Sequence, residues 1–410
     1  MTDQYFWAEE VKDKNIDPDS NPEEYFATMK YGGDIWSRIT RSSGLGEIAD
    51  ASGYDNGFGY NLTFWEKDGY IFADINFVYP NSPAAKAELK RGDLITHMNG
   101  ERITTENYTD LYYAGKLSIG LSADEQSEPY ETKELTAQSY VVDPVLDYGL
   151  IPWEDKNVGY MIYTDFVYRG PSSLTQLNHA FQELKTGKID EFILDLRYNQ
   201  GGYIFAVKQL CSLIAPEEFV NNEELLVHKN WNKVYQQKYA DDPAKLEERF
   251  DKTVPATSRL NLKRLWVITS KVTASAAEML ISALSPYMEV NMVGDVTMGK
   301  NMGGIIYTPE EKDLQGWNIM LISTEYTNSR NESVMGGLVP TYLMQEQFHH
   351  QYQLGDPKEP LLAATLQLIS RKPVATPNRM SRSSSEERKL QRVIPPFVQA
   401  RSVLIFGTEE

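Results

Sequence analysis

Ser275 stands in the stretch Thr273-Ala274-Ser275-Ala276-Ala277, where a strand-like apolar run, Leu265 to Ile268, gives way to helical spacing. Its small neighbours leave the hydroxyl unshielded and let another length of backbone come close. A serine hydroxyl attacks a carbonyl carbon only when something removes its proton, so a base is required. The five histidines, His97, His179, His228, His349 and His350, lie in strand-like, helical or polar stretches that read as structural. The sequence has neither a Gly-x-Ser-x-Gly elbow around Ser275 nor a His-Glu-x-x-His zinc motif. Lys300, 25 residues on in "DVTMGKNMGG", is the remaining candidate, with room for a helix, a turn and a strand between the two. At an ordinary pKa of ~10.4, about one lysine in 2,500 is neutral at pH 7, so burial must disfavour the ammonium by about 4 kcal/mol. Val296, Met298, Met302, Ile305 and Ile306 are suited to excluding water there. Taken alone, a lysine in such a run is more often a snorkelling surface residue.

Attack on a carbonyl also creates an oxyanion, which needs backbone N–H donors near the nucleophile. "ILDLRYNQGGY" ends a strand at Asp195-Leu196-Arg197 and turns through Gly201 and Gly202 into a helical pattern from Phe205. Glycines there can aim N–H groups into a site, and Ala276 N–H lies at the start of the serine's own helix. A plain strand-to-helix turn requiring positive φ would use the same glycines.

The elements that must position these groups follow from length and pattern. A chain of 410 residues exceeds one ordinary core, and 41% hydrophobic residues describe a globular protein of several domains. The net charge of −18 repels phosphate backbones and argues against nucleic acid as a partner. The one cysteine, Cys211, sits in an apolar helical pattern and reads as a buried, inert thiol. No stretch reaches the roughly 18 consecutive apolar residues of a membrane span. The opening "MTDQYFWAEE" carries no signal-peptide pattern, which fits a cytosolic chain or an exported one lacking its leader.

Residues 1–52 read as an N-terminal helical domain, with helices over Tyr5 to Val11, Pro22 to Met29 (capped by Asn21) and Ile35 to Ile39, followed by a joint in "SSGLGEIADASGYDNG". Residues 53–137 form a compact unit of alternating strands, a short helix and an amphipathic helix in "TENYTDLYYAGKL". From 138 to 372 strands alternate with helices, which argues for an α/β core with parallel pairing. Polar helical sequence over about 221–262 interrupts it as an inserted cap would, and a Ser/Arg-rich tail occupies 373–410.

Within the second unit, "PNSPAAKAELKRGDLITHMNGERI" closely resembles the middle of a PDZ domain. The resemblance implies that Gly57-Phe58-Gly59-Tyr60 is the loop whose N–H groups hold a peptide carboxylate, the peptide adding as a strand to the sheet edge. "DLRYNQGG", "TASAAE" and "TMGK" at these spacings, behind a PDZ-like unit, resemble the carboxyl-terminal processing (tail-specific) serine peptidases, and the helical start resembles their Bacteroidetes-type members. The likeness runs from about residue 55 to 370. It implies a multi-domain α/β fold with a ClpP/crotonase-like core, Ser275 as nucleophile and Lys300 as general base. Oxyanion donation would fall to N–H groups of Ala276 and Gly201 or Gly202, with Thr297 and Glu278 in support. It further implies protein or peptide substrates with accessible C-termini, no metal or organic cofactor, and a place in the periplasm or cell envelope.

One position departs from the family pattern. Many members carry a glutamine four residues after the lysine to orient it, and here that residue is Gly304, which leaves Asn301 or Thr297 for the task. Two other functions stay open on the sequence: a degenerate relative that binds peptides without cutting them, and a crotonase-like acyl-transfer enzyme.

Overall fold

The structure, a computed structural model, describes residues 4–12, 14, 17, 19–41, 54–166, 171–307, 316–371, 391–394 and 404–405. Of the joint expected over residues 42–57, residues 42–53 lie outside the described residues, as does most of the tail beyond 372, whereas Tyr54–Gly57 is a strand paired antiparallel with Gln138–Val141.

The α/β core is built on a six-stranded sheet in the order Val145–Trp153, Lys156–Tyr163, Glu191–Asp195, Arg264–Thr269, Glu289–Gly294 and Tyr342–Leu343. The first pair is antiparallel and the others parallel. Its central strand Glu191–Asp195 is buried at every position because both faces are covered. Phe192, Leu194, Leu265 and Val267 face one core with the helices Pro171–Thr186, Ile204–Ile214 and Ala276–Leu284. Ile193, Trp266 and Ile268 alternate onto the other face, against the helix Pro360–Ile369. Cys211 is buried in the first core as a free thiol.

A second sheet stands over the Ser275 helix. Met302–Tyr307 pairs antiparallel with Trp317–Asn328, which pairs in turn with Leu225–Trp231 and through it with Glu247–Arg249. The stretch 221–262, expected to be a polar helical cap, therefore supplies two strands as well as short helices. Apolar, branched Leu225, Leu226 and Val227 favour the ladder there, and Leu226 and Val227 are buried in the core.

The N-terminal segment departs from its expected helices in one place. Pro22–Met29 is helical with Asn21 Oδ1 accepting from Glu24 N at 2.9 Å, and Ala8–Val11 forms one turn. Instead of a third helix over Ile35 to Ile39, Arg38–Arg41 is a strand antiparallel to Trp317–Met320. Pairing with an open edge satisfies backbone groups that a single helical turn could not. Phe6 N donates to Ile322 O and Ser37 Oγ accepts from Ile322 N, so the segment is threaded along the second sheet.

The PDZ-like unit is an antiparallel sheet containing Tyr60–Lys67, Tyr70–Val78, Leu94–Met98, Lys116–Ser122 and Glu131–Thr136, with the short helix Pro83–Lys86. The amphipathic helix expected in "TENYTDLYYAGKL" shrinks to Asp110–Tyr113, because Lys116 and Leu117 join the sheet opposite Thr136 and Leu135.

Candidate active site

Ser275 caps the helix Ala276–Leu284 with φ 58° and ψ −115°, a left-handed setting that costs a non-glycine residue about 1–3 kcal/mol. Glycine makes the neighbouring approach possible: a Cβ on Gly201, itself at φ +107°, would lie 2.7 Å from Ser275 Cβ and 3.0 Å from Ala276 N. The Gly-Gly turn is thus laid directly over the serine. Asn199 fixes it there, since Asn199 O accepts from Ala274 N at 3.1 Å and its side-chain Nδ2 donates to Tyr163 O at 2.9 Å. Asn199 Oδ1 also accepts from Gly201 N at 2.9 Å. That bond occupies the Gly201 N–H, whereas the Ala276 N–H heads its helix and lacks an intrahelical acceptor.

Lys300 reaches the same place from the turn that precedes Met302–Tyr307. Glu278, buried on the Ser275 helix, ties the two together. Its Oε2 accepts from Ser275 N and from Lys300 N, both at 2.8 Å, and its Oε1 accepts from Gly299 N at 2.6 Å and Thr297 Oγ1 at 2.5 Å. Burial pushes the Glu278 carboxyl upward, and these four donors oppose that by favouring the carboxylate. Tyr326, on the strand Trp317–Asn328, repeats the link from the other side, its hydroxyl lying 3.0 Å from Ser275 O and 2.8 Å from Lys300 O.

The functional tips of both residues are enclosed. Ser275 and Lys300 are each 0% exposed, and Lys300 Nζ has no hydrogen-bond partner among the described residues, so the two are not bonded to each other in this conformation. The amine instead lies 4.8 Å from the centre of the Trp36 ring. Burial holds it well below the ordinary lysine range, helped by the charge of Arg38 and opposed by Glu278 and Asp34. Trp36 belongs to an apolar cluster with Phe6, Trp7, Met302, Met320 and Ile322, which keeps water from the amine.

Neither residue considered as a substitute for the family glutamine holds the amine. Asn301 Nδ2 donates to Glu325 Oε1 and Ser333 Oγ, and Thr297 Oγ1 is engaged with Glu278 and with Leu338 N. A side chain at 304 has no space either, for a Cβ there would meet Leu321 O and Met320 Sδ at 2.8 Å.

The strand end at Asp195-Leu196-Arg197 is locked under the site. Fully buried Arg197 pairs with Asp195 and Glu359. Thr273 Oγ1 donates to Leu196 O at 2.9 Å and Ser270 Oγ to Arg197 O, joining this end to the loop that delivers Ser275. The PDZ-like unit meets the same loop: Arg91 donates to Tyr198 Oη at 2.6 Å and to Glu346, and Tyr198 donates to Glu346.

Gly57-Phe58-Gly59-Tyr60 links the strands Tyr54–Gly57 and Tyr60–Lys67. Gly59 needs glycine, at φ +80° with Ser82 Cβ 2.1 Å from where its own Cβ would be. Phe58 and Tyr60 point into the domain core, the latter donating to Leu111 O.

Residues 157–343 match the model of peptidase family S41, residues 1–38 that of the peptidase S41 N-terminal domain, and residues 75–116 a PDZ domain. The chain belongs to peptidase family S41. A Bacteroides fragilis protein crystallised as a candidate S41 protease shares its fold with a TM-score of 0.74 and 26% identity, covering 90% of this chain and 96% of that one. The carboxy-terminal processing protease CtpB of Bacillus subtilis is 27% identical over 231 residues, 54% of this chain and 42% of CtpB. The carboxyl-terminal-processing protease of Synechocystis sp. is 22% identical over 356 residues, 85% of this chain and 76% of that protein. This S41 chain thus spans less than half the length of CtpB, and more of the Synechocystis protein. The mixed α/β core with a PDZ domain is the S41 fold that the sequence resemblance implied. Among the described residues of this S41 chain, no helix is long and apolar enough to cross a membrane.

Proposed function

We propose that the protein is a serine endopeptidase in which Ser275 is the nucleophile and Lys300 the general base. The observation that carries this reading is the enclosed amine: a lysine with no exposure, no ion-pair partner among the described residues and a lowered pKa, bound through its backbone to the same carboxylate oxygen as the serine.

A rotation of the Lys300 side chain away from Trp36 brings the neutral amine to Ser275 Oγ. The amine takes the hydroxyl proton as Oγ bonds to the scissile carbonyl carbon, and the N–H groups of Ala276 and Gly202 receive the negative charge on the carbonyl oxygen. Collapse breaks the C–N bond, and the leaving amine takes the proton from Lys300. Water then enters, gives a proton to Lys300 and bonds to the acyl carbon. When this second intermediate collapses, the C–O bond to Ser275 breaks, the proton returns to Oγ, and the acyl product leaves as a carboxylic acid.

The PDZ domain is assigned the recognition of substrate C-termini through the Gly57–Tyr60 loop and the edge of Tyr60–Lys67. The bonds from Arg91 to Tyr198 and Glu346 support communication between that domain and the Gly201–Gly202 turn. Placement in the periplasm or envelope belongs to the same reading and rests on the family likeness. Mass spectrometry of a β-casein digest, wild type beside Ser275→Ala, tests the function and maps the cleavage preference together. Peptides released only by wild type are expected, and equal cleavage by Ser275→Ala would refute the assignment.

A further inference from the structure

Two short pieces of the C-terminal tail occupy strand positions that a substrate would need. Gln391–Val393 pairs antiparallel with the outer edge of Tyr60–Lys67, in the register Gln391 to Glu66, Arg392 to Trp65 and Val393 to Phe64. Its direction matters. Because residue numbers rise along the tail as they fall along Tyr60–Lys67, the chain beyond Val393 heads toward the Gly57–Tyr60 loop, as a peptide held by its C-terminus does in β-strand addition. Val393 packs partly buried against the core of the PDZ domain. Arg392 contributes to holding the Glu346 carboxyl low, and Glu346 is the residue that Arg91 and Tyr198 share.

The second piece, Leu404–Ile405, lies at the reaction centre. It pairs in parallel with Gly202–Tyr203 on one side and with Gly304 on the other. It thereby fills the slot between the turn laid over Ser275 and the strand that follows Lys300. Eleven residue steps separate Val393 from Leu404, a reach of up to about 36 Å, so one tail can span both positions. The complete burial of Ser275 and Lys300 is what an occupied slot requires.

We propose that the C-terminal tail is an internal pseudo-substrate: Gln391–Val393 takes the peptide-docking edge of the PDZ domain and Leu404–Ile405 the strand slot beside the nucleophile, both of which an incoming extended polypeptide must win. This rests on the Ser275–Lys300 peptidase reading and adds competition between the chain's own tail and its substrate. The slot recognises main chain in extended conformation, so the occupant it fits in trans is an unfolded protein terminus.

The test uses the full chain with Val393→Pro, Ile405→Pro and both together, because proline removes the ladder N–H. With β-casein as substrate, each single variant is expected to raise kcat/KM at least fivefold and the double variant at least tenfold. A synthetic peptide of residues 391–410 should inhibit the double variant and leave wild type unchanged. Rates at or below wild type, with no inhibition by the peptide, overturn the proposal. Hydrogen exchange of the unaltered chain reads the same contacts without substitution: protection at residues 391–393 and 404–405 is expected, and exchange there at the rate of an unfolded chain contradicts it. Ser275→Ala in the double-proline background separates the two readings. Cleavage that persists there refutes the nucleophile, whereas Ser275-dependent cleavage that prolines do not accelerate refutes the tail alone.

Discussion

The amide groups of Ser275 and Lys300, 25 residues apart, donate to one and the same oxygen, Glu278 Oε2, at 2.8 Å each. The carbonyl oxygens of the same two residues share a second anchor, the hydroxyl of Tyr326, at 3.0 and 2.8 Å. The proposed nucleophile and base are therefore registered by their backbones, and the proposed step requires the lysine side chain to turn from Trp36 to the serine.

Tyr326→Phe tests that registration. It removes hydrogen bonds to two buried carbonyls, a loss of about 1–3 kcal/mol in stability. The account expects kcat to fall at least tenfold with KM changed less than threefold, measured on β-casein or a fluorogenic peptide. A melt lowered by several degrees with kcat unaltered would show that the tyrosine supports the fold alone.

The base must act unprotonated, so the rate rises with pH through the lowered pKa of Lys300 and levels off above it. Arg38 lowers that pKa by its charge, and its removal in Arg38→Met lets the pKa climb back toward the ordinary lysine value. The rising limb of the pH–rate profile should then move to higher pH, leaving less activity at neutrality. Trp36→Ala moves it the same way by admitting water to the amine. A limb that stays in place in both variants would contradict the assignment of Lys300 as base.

Gly304→Gln restores the glutamine seen in many relatives, and here it should fail. The new side chain would start 2.8 Å from Leu321 O and Met320 Sδ, so a loss of about 1–3 kcal/mol is expected with no gain in rate. Higher activity in a chain of unchanged melting temperature would show that the strand makes room and that the wild-type lysine lacks an orienting partner.

Burial of Asp74 at the joint between the PDZ domain and the core raises its carboxyl pKa to about 7. A raised folded-state pKa means that its contribution to stability is complete below the unfolded value of ~3.9 and is lost as pH rises through 7. Asp74→Asn, which cannot ionise, should therefore gain on wild type in thermal melts as pH goes from 4 to 8, by the order of 4 kcal/mol. A difference in stability that does not change with pH would show that Asp74 stays ionised throughout.

Much of the site was legible because it depends on residue types close together in sequence. The small residues around Ser275, the Gly201-Gly202 turn and the apolar surroundings of Lys300 each state a local requirement for space or dryness. The partners that come from afar were not legible. Tyr326 lies 51 residues beyond Ser275, and its hydroxyl is aimed by the register of Met302–Tyr307 against Trp317–Asn328. Trp36 and Arg38 lie in an N-terminal stretch whose helical spacing hid a strand, since an unpaired sheet edge elsewhere in the chain decided its conformation. The Asn199 side chain, which takes up Gly201 N–H, sits within the motif that was read, but its direction follows from the close approach of Ala274.

The central claim is that an enclosed, neutral Lys300 activates Ser275. It is tested most directly by β-casein cleavage with wild type, Ser275→Ala and Lys300→Met, each at matched melting temperature. The account predicts robust cleavage by wild type and a loss of at least a thousandfold in both variants. Retention of even a tenth of the wild-type rate in Lys300→Met would contradict it.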